Sequence, residues 1–253
     1  MEQYSRRDNL GQYRAQQAFH EVMTQAVEAV GLRRGDWTTQ QAGDGELGIL
    51  PPDASEPTVV AELVPALDRL LRQYNRGLLP EAKVRLRVAI HQGLVHLGGA
   101  NGFPGDAVNE VCRLRDADVL RHALKTFGNA SVALIVSESI FRDVVRHGYR
   151  GLRPERFAPV RVKVKDFNAP AWIYVPDENA STLTMAEGAD NPSMAESATA
   201  DAIAPVPATQ RAQVSDAPTY QFNGVTTHGP AVFGPDGTAI GTVNLGGTDG
   251  AQA

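Results

Sequence analysis

The chain changes character near residue 177, and that break decides how much of it can fold. Residues 1–176 hold 23 of the 24 Lys and Arg and 20 of the 29 Asp and Glu, a net charge of +3. The rest carries Arg211 alone against nine acids, a net of −8. From Asp177 to about Pro218 the sequence is Ala, Ser, Thr, Pro and acids with almost no large apolar side chain. Such a composition cannot bury enough surface to offset the entropy of ordering. The expectation is a folded domain over residues 1–176, a disordered acidic linker over 177–217 and a separate β-prone, low-complexity segment over 218–253.

Within the first part, apolar periodicity sets out the elements in order. A helix over residues 10–30, capped by Asp8 or Asn9, carries its core stripe on Phe19, Val22, Met23, Ala26, Val27 and Val30 and ends at Gly31. Strands over 37–42 and 46–50 flank a tight Gly43-Asp44-Gly45 turn that presents Asp44. A helix over 56–75 and a strand over 84–95 follow. The helix carrying Asn109 and Arg113, a helical stretch over 119–127, a buried strand over 132–136, a short helix over 137–146 and a hairpin of 160–165 with 172–175 complete the set. That order predicts an α+β architecture, a sheet with helices packed on one face.

The single cysteine, Cys112, rules out an internal disulfide and fits a reducing compartment. No apolar run approaches the roughly 20 residues that span a bilayer, and no signal-peptide core follows Met1. The expected location is cytoplasmic, with neither a membrane nor a nucleic acid as partner.

Chemistry is concentrated in Gly105-Asp106-Ala107-Val108-Asn109-Glu110-Val111-Cys112-Arg113-Leu114. Asn109 and Arg113 are four apart, which places them on one helix face. There an amide that holds a hydroxyl and a forked cation suited to phosphate oxygens would meet one ligand. This stretch resembles the G-x-x-V-N-x-A-x-R-L helix of the class III nucleotidyl cyclases, the adenylate and guanylate cyclase family. Residues 86–95, Leu-Arg-Val-Ala-Ile-His-Gln-Gly-Leu-Val, resemble the family's R-I-G-I-H-x-G-x-V strand, and residues 40–50 resemble its I-G-D-G hairpin. The three motifs keep the family's order and spacing and cover roughly Arg6 to Pro176.

The resemblance implies a ferredoxin-like nucleotidyl cyclase domain that pairs head to tail as a homodimer, of a kind found in bacterial signal transduction. Its substrate would be a nucleoside triphosphate, converted to a 3′,5′-cyclic nucleotide and pyrophosphate. Asp44 would bind Mg²⁺ or Mn²⁺, Asn109 would orient the ribose, Arg113 would offset charge on the α-phosphate, and Lys165 would hold the outer phosphates. Gln40 and Gly43 would contact substrate. Lys163 and Lys165 should face the same side of a strand. Gln40 and Gly102 stand where adenylate cyclases place a base-reading lysine and aspartate, so selectivity for adenine is not implied. The family's other metal aspartate lies on a central strand before the first helix. Here that strand would lie before Met1, which leaves one carboxylate where a two-ion mechanism needs two. The alternative is a catalytically inactive cyclase-fold scaffold or nucleotide sensor that signals through its C-terminal segment. Residues 218–244, neutral β-prone pieces around Gly and Pro turns, resemble bacterial amyloid-like signalling motifs that stack on copies of themselves or on a homotypic partner.

Overall fold

The computed structural model describes residues 1–99 and 102–186; of the linker expected over 177–217, the part from 187 onward lies outside the described residues, as does the segment over 218–253. The first helix, α1 (Asn9–Ala29), begins where Asp8 accepts a hydrogen bond from the Gly11 N–H at 2.7 Å, and it is closed by Gly31 at φ +73°. β1 (Thr38–Ala42) and β2 (Gly45–Ile49) pair antiparallel with Ala42 opposite Gly45, so Gly43 and Asp44 alone make the turn. Next come α2 (Glu56–Thr58), a π-helical turn over Val59–Leu63 and α3 (Val64–Tyr74), in one unbroken helical run. Pro65 has no N–H to offer the preceding turn, and the π-turn sits immediately before it.

β3 (Leu86–Ile90) leads through a long loop to α4 (Asp106–Arg115) and α5 (Asp118–Thr126), and then to β4 (Val132–Ser137). α6 (Glu138–Ile140) continues into a second π-turn over Phe141–Val145. The antiparallel β5 (Ala158–Val164) and β6 (Phe167–Tyr174) follow, then a last short helix, α7 (Ser181–Ala186). The main sheet has the order β3-β4-β6-β5, with β3 parallel to β4 and the other pairs antiparallel. The β1–β2 hairpin is a separate two-stranded sheet.

The mixed helix and strand content fits the α+β expectation, but the placement of the helices does not. All six residues of β4 are buried. Leu134 and Val136 pack in one cluster with Val22 and Val27 of α1 and Leu67 and Leu71 of α3. Ala133 and Ile135 pack in another with Leu114 of α4 and Leu120 and Leu124 of α5. Helices therefore cover both faces, because a strand that is apolar on both sides needs cover on both. Ala180 and Leu183 are buried in the second cluster, which carries the folded part past the expected boundary at 176.

Long-range polar locks fix the start of β4. The buried Asp68 of α3 accepts from the Ser131 and Val132 N–H groups at 2.8 and 3.0 Å and pairs with Arg72 at 2.5 Å. Asn75 donates to the Val84 carbonyl and accepts from the Val84 N–H, both at 2.8 Å. Arg85 reaches the carbonyls of Ala130 and Phe127 at 2.8 Å, which satisfies acceptors beyond the end of α5.

Candidate functional site

Asp44 occupies the tip of the β1–β2 hairpin, where Gly43 takes a positive φ of +49° that a side chain would resist. Its carboxylate Oδ2 and its carbonyl oxygen each accept from the Met1 amine at 2.9 Å, and its side chain is 43 % exposed. Burial pushes the Met1 amine below its ordinary value, against the pull of the Asp44 carboxylate.

Asp44 stands at a cavity of about 460 Å³ that separates the hairpin from the main sheet. β2 forms one wall and β3 the opposite one. Phe19 and Met23 of α1 line it from one side, and Val108, Val111 and Cys112 of α4 from the other. Arg87, Arg115 and Asp116 also face into it. Arg115 grips Asp116 with two hydrogen bonds, at 3.0 and 2.8 Å, and Arg87 lies 3.9 Å from the same carboxylate. The hydrogen bond from Arg115 holds the Asp116 carboxyl below its ordinary value, while burial lowers the Arg87 guanidinium.

Asn109 and Arg113 lie on another face of α4, centred roughly 130° round the helix from the face carrying Val108, Val111, Cys112 and Arg115 at about 3.6 residues per turn. Asn109 is exposed. The Arg113 guanidinium sits 5.5 Å from the centre of the Phe167 ring, at the first residue of β6. Two residues earlier is Lys165, so the fold brings the β5–β6 turn to Arg113. Lys165 does not share a strand face with Lys163 as expected. The ladder ends at Val164 opposite Phe167, and Lys165 is a turn residue with φ +53°.

Gln40 and Gly102 are in contact. Gly102 has φ +105°, and a Cβ placed on it would come within 2.8 Å of the Gln40 Oε1. A side chain at 102 would therefore have to displace the Gln40 amide.

Two features went unseen in the sequence. Arg87 and Asp116 meet only because β3 and α4 pack together, which no local spacing signals. His91, just past β3, points Nδ1 at Glu110 across 3.4 Å without a hydrogen bond. Burial lowers the His91 pKa, and the Glu110 charge pulls the other way.

As a metal site the arrangement is half built. Asp44 offers one carboxylate, whereas Asp116 is committed to two guanidinium groups. Among the described residues no three His, Cys, Asp or Glu side chains converge, and no helix is long and apolar enough to cross a membrane. The described residues therefore do not by themselves fit a two-ion centre. The chain matches no family model, no curated protein and no solved structure.

Proposed function

We propose that the protein is a nucleotidyl cyclase-like signalling protein whose sites are shared by two copies arranged head to tail. What carries this reading is the division of residues across α4. Asp44 and the cavity lie on one side, and Asn109, Arg113 and the Lys165 turn lie on the other. In one chain the two groups point from different faces of α4, and two copies arranged head to tail would each supply what the other lacks.

In the proposed reaction the ribose 3′-oxygen bonds to the α-phosphorus, the bond from that phosphorus to the bridging oxygen breaks, and pyrophosphate leaves. The hydroxyl proton passes to solvent. The Asn109 amide holds the ribose in position for in-line attack. Arg113, steadied over Phe167, places its fork against charge that develops on the α-phosphate oxygens. Lys165, displayed by the turn rather than by the strand, reaches the outer phosphates as a point charge. Gln40, packed beside Gly102, offers an amide donor and acceptor to a base edge. Two Mg²⁺ or Mn²⁺ ions would need a second carboxylate beside Asp44, which the described residues do not supply.

The incomplete metal site favours a second reading, a non-catalytic cyclase-fold scaffold that binds nucleotide and signals through residues 218–244. The test uses protein tagged at its C-terminus and purified from its natural cells, incubated with each of the four nucleoside triphosphates and Mn²⁺. Cyclic product read by mass spectrometry supports the enzyme. Arg113→Ala should then lower kcat by about 100-fold with little change in KM, the mark of an interaction made mainly in the transition state. Nucleotide binding with no product from any triphosphate would establish the scaffold.

A further inference from the structure

Residues 142–156, from the second π-turn to just before β5, carry arginines at 142, 146, 150, 153 and 156 against two acids, Asp143 and Glu155. The backbone there turns sharply, with positive φ at Gly148 (+65°), Arg150 (+53°) and Gly151 (+77°). Arg150 is the informative one, because a left-handed arginine is uncommon and strained unless its surroundings hold it so. The turn gathers Arg150, Arg153 and Arg156 around a pocket of about 150 Å³, with Tyr174 of β6 among the walls. No carboxylate lines this pocket, and it shares no lining residue with the cavity beside Asp44.

Two of the three guanidinium groups are held in place. Arg156 lies 5.3 Å from the centre of the Tyr174 ring and donates to the Glu178 carbonyl at 3.1 Å. Arg150 pairs with Glu62. A guanidinium has five N–H donors, so these bonds leave most of them free. Arg153 makes no hydrogen bond or ion pair among the described residues. The Tyr174 ring stacks on Phe157 with centroids 4.9 Å apart, and its hydroxyl makes no hydrogen bond among the described residues. Burial raises the Tyr174 phenol above its ordinary value, against the pull of Arg156, so it keeps its proton and stays a donor.

We infer that this pocket binds a small phosphate monoester. Three forked cations and a phenol suit a dianion with three terminal oxygens, whereas one fork is enough for a carboxylate. The volume is below the roughly 300–1,000 Å³ of pockets that enclose a whole ligand, so it takes the phosphoryl head and leaves most of the ligand outside. Ala61, Pro65 and Leu152, all half-buried, give the ester substituent an apolar wall. The site is separate from the proposed cyclase centre and holds whether or not the protein turns over nucleotide.

The test is calorimetric titration of the full chain at constant ionic strength with phenyl phosphate, inorganic phosphate and benzoate. Phenyl phosphate should bind at least tenfold more tightly than either of the others. Arg153→Gln should weaken it by about tenfold and Tyr174→Phe by about fivefold, as lost charge-assisted and neutral hydrogen bonds do. Arg153 has no partner to lose, so its variant should keep Tm within about 2 °C of wild type. Arg146→Gln removes the same charge from an exposed position outside the pocket and should change affinity less than twofold. Phenyl phosphate that fails to bind, or that binds wild type and Arg153→Gln equally, overturns the site. So does an Arg146→Gln loss as large as that of Arg153→Gln, because net charge alone would then explain the binding. Benzoate bound as tightly as phenyl phosphate overturns the preference for a dianion, and inorganic phosphate bound as tightly overturns the ester in favour of the free ion.

Discussion

Removing the Asp68 carboxylate should unfold the protein from the middle of its sheet outward. Asp68 is 2 % exposed, and its Oδ1 is the acceptor for the N–H groups of Ser131 and Val132 at the mouth of β4. In Asp68→Ala both donors are left buried without an acceptor, at about 1–3 kcal/mol each. The lost pairing with Arg72 adds little, because that side chain is about a third exposed and can turn to water. The total is about 4 kcal/mol, which lowers Tm by about 8–16 °C in a domain of this size. Asp68→Asn keeps the Oδ1 acceptor and should cost well under half as much. The pH dependence has a definite sign. Burial raises the Asp68 carboxyl above its ordinary value, against the pull of Ser131, Arg72 and Val132. A raised folded-state value means that the contribution of the group is full below the ordinary carboxylate range and is lost as pH rises through the folded value. Wild type should therefore gain on Asp68→Asn as the solution is acidified. Urea titrations of the three proteins from pH 4 to 8 measure this. An Asp68→Ala loss below about 1 kcal/mol, or an Asn variant as damaged as the Ala variant, refutes the reasoning.

Three further outcomes follow from other contacts. Asp116 is held below its ordinary value first by the Arg115 hydrogen bond, so its contribution is present above the ordinary carboxylate range and lost as pH falls through the folded value; Arg115→Gln should move the Asp116 titration seen by NMR upward, and an unmoved titration contradicts the assignment. Gly102→Ala should cost about 1–2 kcal/mol through its positive φ and its clash with Gln40, and Gln40→Ala should recover only the clash, so a double-mutant cycle with no coupling contradicts the contact. Truncation after residue 186 should leave Tm within a few degrees, whereas truncation after 176 removes the buried Ala180 and Leu183 and should lower it clearly; equal midpoints would detach α7 from the core.

Much of the chain order was legible because its signals are local. The Asp8 cap and Gly31 stop bracket α1, and Gly43-Asp44-Gly45 marks the hairpin tip. The five apolar residues from Val132 to Val136 announce a strand buried on both sides, yet nothing in the periodicity of α4 or α5 says which face of the sheet each covers. Lys165-Asp166 lacks the Asn-Gly or Asp-Gly signature of a two-residue turn, so the strand reads one residue too long. In α7 the buried Leu183 is one of only two large apolar residues, with Met185, in a six-residue helix, too weak a pattern to stand out from the linker composition. The shared helix face of Asn109 and Arg113 is a matter of spacing alone. The cluster of Arg87, Arg115 and Asp116 is tertiary and leaves no mark on the sequence.

Mixing two variants tests the shared site most directly. Asp44→Ala and Arg113→Ala proteins, each purified from the natural cells, should be inactive alone, because each spoils one half of every site. Mixed in equal amounts and allowed to exchange, half of the dimers carry one variant of each kind, and each of those has one of its two sites intact. The proposed arrangement predicts about a quarter of wild-type cyclase activity in the mixture. A mixture no more active than the two variants assayed apart contradicts it.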